Sequence, residues 1–201
     1  PAIAALLNDP ARPVREAAAD LIEAIGGPQA TEHLVRYALA NLSDPNGPRG
    51  VGPGRYRLEN LGAAALPTMV RAYSDAPPEM RLTLIHIAQR IGSPAARPML
   101  EQALDDSDSL IGRAAAEALG SLGDPSAYEQ LIQLLGSDNP HAGFGAITGL
   151  ELLGNRAAIG PLEELLARGD TLVAAVTASP GAVPDTLHSA AAQAIHKLRG
   201  L

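Results

Sequence analysis

Residues Ile111–Leu135 decide the fold. They read Ile-Gly-Arg-Ala-Ala-Ala-Glu-Ala-Leu-Gly-Ser-Leu-Gly-Asp-Pro-Ser-Ala-Tyr-Glu-Gln-Leu-Ile-Gln-Leu-Leu. An Ala- and Leu-built helix ends at Leu122-Gly123, and a second begins at Pro125 after Asp124. Glycine just past one helix end and proline at the first position of the next mark a tight helix–turn–helix.

The pattern recurs along the chain. Turn glycines stand at Gly26, Gly62, Gly92, Gly123 and Gly154, with gaps of 36, 30, 31 and 31. A regular period of this length marks a stacked repeat. After the turn an apolar set returns at offsets of four, three and one, which is one helical face. It is Ala30, Leu34, Tyr37, Ala38; then Ala96, Leu100, Ala103, Leu104; then Ala127, Leu131, Leu134, Leu135; then Ala158, Leu162, Leu165, Leu166. Before the turn, runs such as Ala17–Ala19, Ala114–Ala116 and Ala190–Ala192 let neighbouring helices approach closely.

The chain resembles HEAT-type repeats, in particular the short HEAT-like repeats of the bilin-lyase type within the armadillo-type superfamily. Their running pattern is an Asp, then Val-Arg, Ala-Ala, and Ala-Leu-Gly-x-Leu-Gly-Asp-Pro. Ala114 to Pro125 carries it most completely, and Asp9, Val14, Arg15, Ala17 and Ala18 carry its opening. The resemblance implies an all-α, right-handed α–α superhelix of about five helix pairs plus a lone helix at each end. Two departures stand out. The places of Val14-Arg15 and Met80-Arg81 hold Ile111-Gly112 and Ala142-Gly143 later on, so Arg-based hydrogen bonding is absent there. Gly143, Gly145 and Gly149 fall inside one helix, where each costs about 1 kcal/mol relative to Ala. The sequence leaves two explanations open, very close packing or a soft spot.

In chain order, residues 1–7 read as the tail of a second helix, with Ile3, Leu6 and Leu7 matching Leu131, Leu134 and Leu135. Helices follow at 12–25 and 28–41, 55–61 and 64–73, 78–91 and 94–104, 109–122 and 125–135, 140–153 and 156–167, and finally 186–199. An irregular Pro/Gly-rich loop is expected at 43–54 and an insertion at 168–185. The expectation is a single HEAT-like domain over 1–201; because both ends stop mid-repeat, a slice of a longer array stays open.

Composition narrows the function classes. The chain of 201 residues has no cysteine, which excludes disulfides, thiolate metal sites and Cys nucleophiles. It carries a net charge of −7 and only 2% aromatic residues. Strong nucleic-acid binding needs clustered Lys and Arg, and is not expected. No apolar run reaches the length of a membrane span, and a cytoplasmic protein is expected. Gly50-Val51-Gly52-Pro53-Gly54-Arg55 lacks the strand and the Lys-Ser/Thr of a phosphate loop. His33, His86, His141, His188 and His196 show no metal-ligand spacing. Asp105-Asp106-Ser107-Asp108 is placed to cap a helix rather than to bind calcium. No catalytic residue, cofactor or metal is expected.

The leading expectation is therefore a non-catalytic scaffold or adaptor that binds another protein or a peptide segment on its concave face. The resemblance places the second helix of each pair on that face. One residue before the last apolar pair runs a polar row: Arg36, Arg71, Gln102, Gln133 and Glu164, with His33, Met99, Gln130, Pro161 and Glu163 beside it. Its charge passes from basic to acidic along the chain. The alternative is an enzyme or enzyme subunit of a HEAT-like family, of bilin-lyase type or, less favoured in so acidic and aromatic-poor a chain, of DNA-glycosylase type.

Overall fold

The computed structural model describes residues 2–42, 53–137, 140–167 and 185–200. Most of the expected loop at 43–54 and of the expected insertion at 168–185 lies outside them. Among the described residues the regular structure is helical throughout. A short helix α1 (Ala2–Ala5) runs into a 3-10 turn at Leu6–Asn8. Consecutive pairs follow: α2 (Arg12–Ile25) and α3 (Pro28–Ala40), α4 (Pro53–Leu61) and α5 (Leu66–Tyr73), α6 (Pro78–Ile91) and α7 (Arg97–Leu104), α8 (Ser109–Ser121) and α9 (Ala127–Leu135), α10 (Pro140–Leu153) and α11 (Ile159–Ala167). A lone helix α12 (Asp185–Arg199) comes last. The all-α repeat architecture is as the sequence indicates. The differences are local: α4 starts at Pro53, and several second helices open with a 3-10 turn, as at Pro94–Ala96 and Arg156–Ala158.

The turns work as their residues dictate. Gly26, Gly62, Gly92, Gly123 and Gly154 all have φ between +57 and +71. Gly92 is in the left-handed region, and its N–H donates to the Ala88 carbonyl. A side chain with a Cβ meets steric cost there, which is why glycine recurs. Asp108 caps α8 by accepting from the Leu110 N–H at 2.9 Å, the role expected of the acidic cluster.

The chain forms two compact units, Pro1–Ala96 and Arg97–Leu201. In the first, Leu7, Ala18, Ala19, Ile22, Leu34 and Tyr37 form a buried cluster with Ile3, Ala4 and Leu61 packed on it. Helix α4 meets α3 backbone to backbone, since a Cβ on Gly54 would stand 1.9 Å from the Ala38 carbonyl oxygen. In the second unit α8 lies against α10 with the same intimacy. A Cβ on Gly120 would come within 2.1 Å of Gly149 O, one on Gly149 within 2.5 Å of Ala116 O, and one on Gly145 within 2.6 Å of Arg113 O. Close packing, not softness, is thus the reason for Gly145 and Gly149. Gly143 differs: its Cβ would meet only Leu134 O at 3.9 Å. The missing Arg of the repeat pattern has a similar cause at Gly112, where a Cβ would stand 3.1 Å from Leu104 O. Arg15, which keeps the pattern, donates to the carbonyls of Asp9 and Pro10 at 2.9 and 3.0 Å and so ties down the turn before α2.

Candidate docking surface

The apolar set on the second helices turns inward, with Ala30, Leu34, Leu100, Ala127, Leu131 and Leu162 buried. The polar row beside it consequently faces water. In the first unit Arg36 of α3 and Arg71 of α5 are exposed, as is His33. In the second, Gln102 of α7, Gln133 of α9 and both Glu163 and Glu164 of α11 are exposed. Gln130 and Pro161 are half-buried.

Met99 does not belong to the surface. It is 0% exposed, packed in the interior with Leu100 and Ala103. Its offset from the turn matches that of His33 and Gln130, but the side chain is apolar and unbranched. Burial of an adaptable thioether is favourable, whereas His and Gln at that offset keep their polar ends toward water.

The charge gradient along the row is weaker in the structure than in a count of residues. Arg36 donates to Glu32, one turn earlier on the same helix, at 2.7 Å. Arg71 donates to the Thr68 hydroxyl at 2.9 Å. Glu163 is paired with Arg199 of α12. Gln130 donates to Glu101 Oε1 at 2.9 Å, tying α9 to α7 behind the exposed row. Its own Oε1 is buried with no hydrogen-bond partner.

Two charged networks flank these helices, and sequence reasoning missed both. In the first unit Arg57 of α4, 9% exposed, reaches across to α2. Its guanidinium donates to Glu16 at 2.9 Å, Asp20 at 2.6 Å and Glu23 at 2.9 Å, while the Tyr37 hydroxyl donates to the other oxygen of Glu16 at 2.9 Å. Burial works against the charge on Arg57; the hydrogen bonds to Asp20 and Glu16 outweigh it and hold the guanidinium more firmly protonated. Burial, then the bond to Glu16, pushes the Tyr37 phenol above its usual range. The available signal was the acid spacing of four and three on α2, which places Glu16, Asp20 and Glu23 on one face. In the second unit Arg97 bridges Glu101 at 2.6 Å and Asp124 at 2.8 Å, and also contacts the Ser126 hydroxyl. Hydrogen bonds from Arg97 and then Gln130 hold the Glu101 carboxyl below its usual range. The signal here was the Arg97–Glu101 spacing of four together with the Asp of the turn.

Among the described residues no group of three or more His, Asp or Glu side chains is placed to hold a metal ion. No helix among them is long and apolar enough to cross a membrane.

The family model described as HEAT repeats matches residues 66–141 and again 102–179. No curated protein matches the chain. Among solved structures, a designed armadillo repeat protein in complex with the peptide (KR)4 is similar at 17% identity, covering 96% of this chain and 98% of that one, with a TM-score of 0.48.

Proposed function

We propose, because this chain belongs to the HEAT repeat family, that it is a non-catalytic scaffold that takes up an extended segment of another protein along its second helices. One observation carries the reading. Ten residues past the turn glycine in each of the last three repeats a polar side chain stays exposed while apolar neighbours are buried: Gln102 beside Leu100 and Ala103, Gln133 beside Leu131 and Leu135, Glu164 beside Leu162 and Leu165. Stacked helix pairs that repeat a chemical group at a fixed interval present a ladder to whatever lies across them. A glutamine amide both donates and accepts, which suits the alternating N–H and C=O of an extended main chain. The acid on α11 favours a basic residue at that end of the bound segment, and the charges set register and encounter rate more than affinity.

The test is selection of binders from a displayed library of linear peptides, followed by affinity measurements on variants. Changing Gln102 and Gln133 to Ala should weaken the selected peptides at least about tenfold, the scale of lost hydrogen bonds to two groups. Glu164→Lys should remove the preference for a basic residue and lessen the salt dependence. Melting temperatures should stay close to wild type, because exposed polar groups contribute little to stability. Selected peptides that bind all three variants as tightly as the wild type would rule this surface out.

A further inference from the structure

The spacing of the polar row limits the conformation of whatever lies on it. Three rungs belong to the second unit: Gln102 of α7, Gln133 of α9 and Glu164 of α11, each at the same offset from its turn glycine and each exposed. Helices α7 and α9 are direct neighbours. Gln130 of α9 donates to Glu101 of α7 at 2.9 Å, and Arg97 of α7 pairs with Asp124, in the turn before α9, at 2.8 Å. Helices in such contact stand about 8–10 Å apart, and equal register sets the rungs at the same interval.

One regular form of an extended main chain meets that interval. In a β-strand the carbonyls of one edge recur every second residue, at about 6.6–6.8 Å, and then at twice that distance. Neither value fits. In a polyproline II helix every third residue repeats one side, and at about 3.1 Å per residue its turn is about 9.3 Å. Its carbonyls make no internal hydrogen bonds, so every third one is open to a glutamine Nε2–H. An α-helix bonds its carbonyls internally and offers the rungs none along its length.

The surface also leaves room for a main chain to come down on it. On α11, Gly160 stands one turn before Glu164 and Ala167 nearly one turn after it, and all three are exposed. Gly160 has no reason within the fold itself. It lies inside α11 without a positive φ, and among the described residues nothing lies within 4 Å of where its Cβ would stand. That separates it from Gly120, Gly145 and Gly149, whose Cβ atoms would strike backbone. Glycine weakens a helix relative to alanine, and a bound backbone passing close over α11 gives it a role. Charge agrees. One turn from the rungs of α7 and α9 stand the exposed acids Asp105 and Glu129, while Arg97 is engaged by Glu101 and Asp124.

We infer, resting on the docking surface proposed above, that the segment taken up there is a proline-rich polyproline II helix, three residues to a repeat, with a lysine or arginine beside Glu164. Proline has no N–H, and none is needed, because the glutamine amides donate to carbonyls. A segment that holds this form before binding also loses less conformational entropy than a flexible one.

Two labelled peptides of about nine residues test this, matched in length and charge. One is a run of prolines closed by a lysine; the other alternates threonine and valine and is closed by a lysine. In fluorescence anisotropy with the full chain, the proline peptide should bind at least about tenfold tighter than the Thr-Val peptide. Changing Gln102 and Gln133 together to Ala should weaken it at least about tenfold, and so should Gly160→Leu, which fills the approach. Gly160→Leu should not lower the melting temperature, since leucine is the better helix former, whereas loss of a glycine needed for packing would lower it. Three results overturn the inference: a Thr-Val peptide that binds at least as tightly as the proline peptide, a proline peptide indifferent to both variants, or a proline peptide that does not bind at about 1 mM. The docking surface itself is judged apart from these, by whether peptides selected from the library lose affinity when Gln102 and Gln133 are changed.

Discussion

Gly149 and Gly143 stand six residues apart in the same helix, and their environments make opposite demands. A Cβ at Gly149 points at the Ala116 carbonyl oxygen at 2.5 Å, and backbone cannot step aside. Gly149→Ala should force α8 and α10 apart and cost about 1–3 kcal/mol in urea unfolding. Gly143→Ala meets nothing closer than 3.9 Å, so it should gain up to about 1 kcal/mol from helix propensity. Equal effects of the two changes would show that the close approach of α8 and α10 is not what the glycines serve. Arg57 sets up a second contrast. Arg57→Ala leaves three carboxylates on one face of α2 without their shared cation. A buried pair broken from one side costs about 3–5 kcal/mol, but Asp20 and Glu23 keep 71% and 45% of their side-chain exposure, which lowers the expectation to about 2 kcal/mol at pH 7. Full recovery of stability in Arg57→Met, which keeps the apolar stem without the charge, would mean that Arg57 matters through the packing of its stem alone.

At the scale of the element, second helices are fastened as well as packed. Helices α7 and α9 share Glu101, which accepts from Arg97 and from Gln130. The Glu101 carboxyl is held below its usual range, so its contribution to stability is complete above the ordinary glutamate value of about 4.3 and is lost as pH falls through the lowered folded value. Glu101→Gln should therefore reduce stability at pH 7 and flatten the acid limb of the stability curve. Denaturant melts at pH 7 and pH 3 check this, and equal losses at the two pH values would refute it. The same fastening explains why Gln130, though polar, is half-buried while Gln133 one turn on is exposed.

For the whole molecule, charge is the property that no single helix shows. With a net charge of −7 and a pI of about 5.2, mutual repulsion between copies vanishes in mildly acidic solution. Light scattering across pH 4–8 should find the solubility minimum near pH 5, and a minimum displaced by more than about one unit would point to strongly shifted carboxylates beyond Glu101. Within the chain, Arg36 is paired with Glu32 and Glu163 with Arg199, so the row carries a weaker field than its charged residues alone suggest. That is why the proposed docking test turns first on Gln102 and Gln133.

The sequence by itself determined the repeat. Turn glycines at intervals near 31 residues, the prolines that follow them and apolar offsets of four, three and one specify helix pairs, and the helices form within a few residues of where that pattern puts them. It determined as well which residue of each second helix faces water, because an apolar set that repeats on one face leaves its neighbour outside. Such patterns are local, and local periodicity survives in a linear string. The tertiary structure alone decided between close packing and softness at Gly145 and Gly149, since the answer lies in atoms of α8 some thirty residues away. It alone buried Met99 at the offset where His33 and Gln130 are polar, and it alone showed that Arg57 gathers the acids of α2. Each of these depends on which helix comes to lie against which, and that distance is three-dimensional, so spacing along the chain does not record it.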